Sequence, residues 1–329
     1  MILDGQQADS IVQAVDALAA GRLIGLPTET VYGLAADAGN ATAVRAIFAA
    51  KGRPASHPLI VHVGHQEAVD VFAAEVPPFA RRLIDAFWPG PLTLILPRRA
   101  GVAEGAAGGH ASIGLRCPAH PVARALLAAA AARGLHGLAA PSANRFGGVS
   151  PTTAAHVAAE FGGELLVLDG GACEVGIESS IVDCTRGAPV LLRPGQLARA
   201  DIERAAGARL LDRQALATPE PQAPGTLAAH YAPRAKLRLM DERELRAALE
   251  LLGAEGRGIA VWARASLRSP SSAITLRRMP GDAAEAARQL FAVLRGFDDA
   301  GARLIWVETP PGDPAWDGVR DRLQRAAAA

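Results

Sequence analysis

Leu138-Ala139-Ala140-Pro141-Ser142-Ala143-Asn144 is a short apolar run that stops at a proline and opens into a hydroxyl and a carboxamide two residues apart. Apolar residues bounded by such a breaker read as a buried strand, Leu138–Ala140, with a polar turn at its carboxyl end. That is the end of the strand at which α/β folds bind ligands. The same pattern recurs on both sides. Short strands are predicted at Leu23–Leu26, Pro58–Val63, Leu92–Leu96, Ser112–Leu115, Leu165–Leu168, Ser180–Asp183 and Val190–Leu192. Helical periodicity predicts helices at Ile11–Ala20, Thr42–Ala50 and Pro121–Ala132, and Ser150-Pro151 reads as an N-cap and N1 pair opening a helix to Glu160. Strands and helices in this order imply an α/β domain, a twisted mixed sheet with flanking helices, over residues 1–211.

From 212 to 236 the pattern breaks. Pro219, Pro221, Pro224, Gly225 and Pro233 fall in a stretch without periodicity, which reads as a linker or as a loop lying over something, here expected to be the active site. A second β-α-β series follows over 237–329, with strands at Leu237–Met240, Gly258–Trp262, Ala273–Leu276 and Leu304–Val307. Helices are predicted at Glu242–Leu252, Gly281–Phe297 and from Ala315 onward. It reads as a small Rossmann-like α/β domain, but no G-x-G-x-x-G follows its first strand, so it is not read as a dinucleotide binder.

With 329 residues, half of them hydrophobic, the chain can build two cores. Its apolar runs are too short for a membrane span, and Met1–Gly5 does not resemble a secretory leader, so a cytoplasmic protein is expected. Cys117, Cys173 and Cys184 lack C-x-x-C spacing and read as buried free thiols. A net charge of +1 gives no overall affinity for polyanions, though a local basic groove stays open. The 34 basic residues are arginines apart from Lys51 and Lys236, and asparagine occurs only as Asn40 and Asn144. Such a bias suggests a coding background that removes lysine, asparagine and tyrosine where chemistry allows. Lys51, Asn144, Tyr32 and Tyr231 nevertheless fall inside the motifs.

Lys51-Gly52-Arg53-Pro54 places a point charge and a planar fork around a turn glycine, where both can converge on one phosphate. Taken alone, it reads more readily as a solvated surface turn than as a site. Ser142 can donate to a phosphate oxygen, and the Asn144 amide can position a phosphate or hold a metal-bound water. The alternative is a plain Asx turn. Pro27-Thr28-Glu29-Thr30-Val31-Tyr32-Gly33-Leu34 packs two hydroxyls, a carboxylate and a phenol into eight residues. Gly176–Asp183 is another polar turn entering a strand, and Leu192-Arg193-Pro194-Gly195 sets an arginine at a strand end. His57, His62 and His65 are a metal-ligating residue type, but their uneven spacing on and around a strand argues against a metal site.

Together P-T-E-T-V-Y-G-L, K-G-R-P-x-x-x-P-L-I-V-H, P-G-P-L-T-L-I-L, G-L-R-C-P, P-S-A-N, E-S-S-I-V-D and L-R-P-G resemble the YrdC-type threonylcarbamoyl-AMP synthases, over about residues 8–210. Ala223–Pro233, A-P-G-T-L-A-A-H-Y-A-P, and the trailing domain resemble the long, two-domain form. The resemblance implies L-threonylcarbamoyladenylate synthase activity. L-Threonine, bicarbonate or CO2, and ATP would give threonylcarbamoyl-AMP and pyrophosphate, for making threonylcarbamoyladenosine in tRNA. It implies Lys51, Arg53, Ser142 and Asn144 as the catalytic tetrad around the triphosphate. Further ATP contacts would be His57, Ser112, Ser150, Arg193 and Tyr231. Threonine would bind Thr30, His62, Arg116, the Ala140 backbone and Ser179, with Arg116 facing its carboxylate. Mg2+ is expected to enter with ATP, because no cage of protein carboxylates stands out. The tRNA threonylcarbamoyl-transferase complex is the expected partner, and direct tRNA contact stays open. His57 stands where the family has asparagine, and Thr226 where methionine is common. Two rivals remain: a YrdC-type carbamoyltransferase, usually joined to acylphosphatase and zinc-finger segments, and a non-catalytic binder of tRNA or double-stranded RNA.

Overall fold

The computed structural model describes residues 1–212, 224–225, 227–252, 255–269 and 271–329. About half of the expected linker at 212–236, Thr226 included, therefore falls outside the described residues. The chain divides into two compact units, one of Met1–Phe146 with Ser150–Thr226, the other of Gly147–Val149 with Leu227–Ala329.

The first unit is built on one mixed sheet of eleven strands. Across it run Ile2–Asp4, Leu166–Asp169, Ile24–Leu26, Gly33–Asp37, Leu138–Ala139, Ile60–His62, Ser112–Arg116, Leu92–Pro97, Ser180–Asp183, Val190–Arg193 and Leu211–Asp212. The predicted strands are all present, shifted by a residue or two at their ends. Leu138–Ala139 lies antiparallel to both neighbours, pairing Ala139 with Ala36 and with Val61. Ile60–His62 runs parallel to Ser112–Arg116, so His62 sits beside Arg116 in register. One hydrophobic cluster packs Val44, Ile47, Val61, Leu83 and Leu94 together, and another packs Leu18, Ile24, Leu126 and Leu138. Burial of these aliphatic faces, at about 25 cal/mol per Å2, drives assembly of this layer.

Some local expectations fail for identifiable reasons. Ser150-Pro151 does not open the helix. That helix is Ala154–Phe161, and Thr153 is its cap, accepting from the His156 N–H. Ser150 instead donates its hydroxyl to the Glu178 carboxylate, an option a buried serine prefers to capping a turn. Gly33–Asp37 becomes a strand although Gly-Leu-Ala-Ala-Asp has weak strand propensity, because edges on both sides supply its hydrogen bonds. A Cβ at Gly33 would lie 3.1 Å from the Ala140 Cβ, so glycine permits this close pairing. Helices Pro78–Phe87 and Arg199–Ala206 and strand Ile2–Asp4 complete the unit without having been foreseen.

The second unit has a four-stranded parallel sheet in the order Lys236–Met240, Leu304–Glu308, Ile259–Ala263, Thr275–Arg278. Its helices are Glu242–Leu252, Ala283–Asp299 and Asp317–Ala327. Asp282 caps the long helix by accepting from the Glu285 N–H. A separate small parallel sheet covered by helices is the Rossmann-like arrangement expected. Among the described residues, no helix is long and apolar enough to cross a membrane. The three cysteines are free and buried.

Candidate active site

Lys51 is the last residue of helix Ala41–Lys51, which ends at Gly52 in the left-handed conformation, φ 66°. The turn aims the lysine inward, where it is 3% exposed. Its ammonium donates to the carbonyls of Ser142 and Asn144, and the Phe146 N–H donates back to the Lys51 carbonyl at 2.9 Å. Two of the predicted motifs, 91 to 93 residues apart, are thus locked together. Burial, with repulsion from Arg53 added, brings the Lys51 pKa down to about 7. An ammonium carries three protons, and two of them go to these carbonyls; the third is available to an anion. Arg53 donates to the Pro58 carbonyl at 2.9 Å and lies 5.7 Å from the Phe146 ring centre. His57 meets the same ring edge-on at 5.6 Å. Burial and the Arg53 charge lower the His57 pKa, so its imidazole is neutral near pH 7.

The loop after strand Ile24–Leu26 carries Thr28–Tyr32 into the interior. Thr28 folds it locally, its hydroxyl donating to the Val31 carbonyl at 2.6 Å. The Ala143 N–H donates to the Tyr32 carbonyl at 2.8 Å, and the Tyr32 N–H to the Pro151 carbonyl at 2.9 Å, which stitches this loop to Pro141–Asn144 and to Ser150-Pro151. Thr30 is fully buried and accepts from Arg116 Nη1 at 2.8 Å. Arg116 also donates to the Gly90 carbonyl at 3.2 Å and forms an ion pair with Glu29 at 2.7 Å. Burial, the largest single influence, would raise the Glu29 pKa, but the Arg116 charge and hydrogen bond together with the Glu29 and Ala119 backbone donors outweigh it and hold the carboxyl below its ordinary value. His62 is 3% exposed, and burial beside Arg116 lowers its pKa to about 3, so the ring stays neutral. The buried His62 Nδ1 has no hydrogen-bond partner in the protein, whereas the neighbouring Arg116 Nη2 is taken by Glu29. Unmet buried polar atoms are costly, which marks this spot as one that a polar ligand would complete.

Ser179 closes the far side. Its hydroxyl lies 2.7 Å from Thr93 Oγ1 and 3.2 Å from Arg193 Nη2, while Arg193 Nε donates to the Ser179 carbonyl at 3.0 Å. Arg193 also donates to the Pro224 carbonyl at 2.9 Å. The Ser180 N–H donates to the Pro91 carbonyl, next to Gly90, which connects this corner to Arg116. A Cβ at Gly195 would come within 2.5 Å of the Ser180 nitrogen, so only glycine fits the turn.

Hydrogen bonds and strand register thus bring Lys51, Ser142, Asn144, Thr30, His62, Arg116, Ser179 and Arg193 into one connected set, with Arg53 and His57 joined to it through Phe146. Ala140 belongs too, its N–H bound to the Ile60 carbonyl at 3.0 Å. Ser112 is half-buried at the start of its strand, opposite Pro97. Tyr231 belongs to the second unit, where its ring lies 5.5 Å from Phe291 and 5.4 Å from the Arg322 guanidinium carbon. Glu29, Thr93, Phe146 and Glu178 complete the set without having been singled out. Glu29 lay in a quoted motif; what hid its role is that its partner, Arg116, is 87 positions away.

Residues 16–195 match the Sua5/YciO/YrdC family model, described as telomere recombination. Residues 197–328 match a model described as the C-terminal domain of threonylcarbamoyl-AMP synthase. The threonylcarbamoyl-AMP synthase of Pyrococcus abyssi is 37% identical over 316 residues, 93% of this chain and 91% of that one. That of Bacillus subtilis is 35% identical over 325 residues, 96% and 92% of the two chains. A structure of P. abyssi Sua5 complexed with L-threonine matches at TM-score 0.88 and 35% identity, over 99% of this chain and 97% of that one. The chain therefore belongs to the Sua5/YciO/YrdC family, in the long form that carries the threonylcarbamoyl-AMP synthase C-terminal domain.

Proposed function

We propose that the buried polar set of the first unit is where this chain, an L-threonylcarbamoyladenylate synthase, joins threonine, bicarbonate or CO2, and ATP. The product is threonylcarbamoyl-AMP with pyrophosphate, made for tRNA threonylcarbamoyladenosine. The observation that carries the siting is the unmet buried His62 Nδ1, in register with Arg116, in the same unit as the Lys51–Ser142–Asn144 knot.

Threonine's carboxylate pairs with Arg116, which Glu29 and Thr30 hold ready, and its hydroxyl and amine lie among Thr30, His62, Ser179 and the Ala140 backbone. Its amine takes up CO2 and loses a proton to give a carbamate. A carbamate oxygen then attacks the α-phosphorus of ATP, the bond to the bridging oxygen breaks, and pyrophosphate leaves. Negative charge grows on the α- and β-phosphate oxygens in that step. Lys51, Arg53, the Ser142 hydroxyl and the Asn144 amide are fixed in advance to meet it, so the site spends no reorganisation there. His57, Ser112, Ser150 and Arg193 position the nucleotide. Any Mg2+ would come with ATP as its counter-ion and supply charge neutralisation, since the buried carboxylates Glu29 and Glu178 are already engaged by Arg116 and Ser150. The product is labile and passes to the tRNA-modifying transferase in the cytoplasm.

Pyrophosphate release measured with ATP, threonine and bicarbonate, each omitted in turn, tests this reading. Release that needs all three supports it. Tight tRNA binding without such release would favour the non-catalytic reading instead.

A further inference from the structure

The three residues Gly147–Val149 group with the second unit, although their chain neighbours on both sides belong to the first. They are the stretch between Asn144-Arg145-Phe146 and Ser150, that is, between two parts of the proposed nucleotide site. Among their contacts inside the second unit, the Ala232 N–H donates to the Gly147 carbonyl at 2.8 Å, Gly148 pairs with Ala232 as a parallel β-bridge, and Arg295 of the helix Ala283–Asp299 donates to the Val149 carbonyl. Gly147 has φ +83°, a value at which glycine is unstrained. On its N-terminal side, Phe146 carries Arg53 and His57 on its ring. On its C-terminal side, Ser150 is fully buried against Glu178.

We infer that Arg295 is a positioning residue for nucleotide binding. It acts through the Val149 carbonyl to fix the short span whose two ends are Phe146 and Ser150. A span of three residues transmits displacement at one end to the other, since each residue reaches at most about 3.6 Å. A charged donor on a backbone carbonyl is among the stronger hydrogen bonds and is directional. Losing it loosens the span without removing any group placed against a phosphate. The inference rests on the siting of ATP proposed above.

The test compares Arg295→Ala, Arg295→Lys and Ser150→Ala in the full chain. Arg295→Ala should raise KM for ATP by about fivefold to tenfold, somewhat less than the full worth of one charged hydrogen bond because the effect is indirect, and leave KM for threonine within about twofold. Amide exchange of residues 146–150 should speed up in the same variant while the thermal midpoint of the first unit holds. Arg295→Lys, which keeps a charged donor, should recover most of both effects. If Arg295→Ala leaves ATP KM and the exchange of 146–150 unchanged, the inference is overturned. If it shifts both KM values equally with a lower midpoint, Arg295 is merely structural and the inference is overturned too. Ser150→Ala separates the failures. An ATP KM raised by Ser150→Ala but not by Arg295→Ala sinks the inference alone, whereas no effect of Ser150→Ala sinks the placement of ATP itself.

Discussion

The two units bury polar groups in different ways. The first takes Thr28, Glu29, Thr30, Lys51, His62, Arg116, Asn144, Ser179 and Arg193 below a tenth exposure, grouped at the ends of several strands. In the second, the buried polar side chains among the described residues are His230, Glu308 and Arg322. Glu308 is met by Arg264 and by the Ala265 N–H at 2.7 Å, and Arg322 donates to Asp321 at 2.9 Å and lies over Tyr231. Burying a polar group costs free energy unless it is paired. In the second unit the charges of Glu308 and Arg322 are paired inside the protein, while the buried Trp262 Nε1 and Arg264 Nε have no hydrogen-bond partner. In the first, part of that cost is left open at His62 Nδ1, on a strand beside Arg116 and among the residues proposed to bind threonine. What sets the first unit apart is the number of buried charged and polar side chains that it brings together, several with shifted pKa values, as a ligand site requires.

The sharpest way to break the contrast is at Lys51. Lys51→Met should lower the rate of adenylate formation by about 10^3-fold, as removal of a preorganised charge does, with threonine binding retained. Loss of less than tenfold would move the triphosphate elsewhere. Arg116→Lys keeps the charge but not the planar fork, so KM for threonine should rise about a hundredfold while KM for ATP changes little. An equal rise in both would make Arg116 a framework residue.

Two predictions use protons. In the ligand-free protein Lys51 has a pKa of about 7, below the ordinary 10.5, so it is mostly neutral at pH 8. A bound triphosphate favours the charged form. ATP binding at pH 8 should therefore take up close to one proton, read by calorimetry in buffers of different ionisation enthalpy. Above pH 7, kcat/KM for ATP should fall, by about tenfold per pH unit at most. Arginine at position 51, always charged, should abolish the uptake. His62 works in the acid range. Its folded pKa of about 3 lies below the ordinary 6.5, so its contribution to stability is intact above pH 6.5 and is lost as pH falls toward 3. Replacing His62 by Asn should remove about one proton from the pH slope of unfolding between 6.5 and 4.

The smallest effect on activity belongs to the second unit. Glu308→Gln breaks the pair with Arg264 and should destabilise that unit by about 3 kcal/mol, seen in its unfolding transition. The KM values for ATP and threonine should stay within about twofold. A large rise in either would contradict the division of labour between the units.

The strands were legible because each is a short apolar run bounded by Gly, Pro or a polar turn, and the pattern survives at Leu138–Ala139 even with two residues paired. Gly33–Asp37 was not, since its pairing comes from partners on either side and not from its own side chains. Ser150-Pro151 carried a correct local signal for a helix start, and a tertiary hydrogen bond to Glu178 overrode it. At the site, the residues carrying unusual chemistry in quoted motifs were visible singly. Their grouping was not, because Lys51 reaches Ser142 and Arg116 reaches Thr30 across 91 and 86 positions. Phe146, which joins Arg53 to His57, gave no signal at all, since an aromatic after a polar turn reads as ordinary packing.

The central claim is that ATP and threonine meet in the polar set of the first unit, and a crystal structure with a non-hydrolysable ATP analogue and L-threonine tests it most directly. The account predicts the α-phosphate between Lys51 and Arg53 on one side and Ser142 and Asn144 on the other, with the threonine carboxylate on Arg116 and His62 Nδ1 newly hydrogen-bonded. A triphosphate bound away from Lys51, or a threonine that leaves His62 and Arg116 untouched, would contradict it.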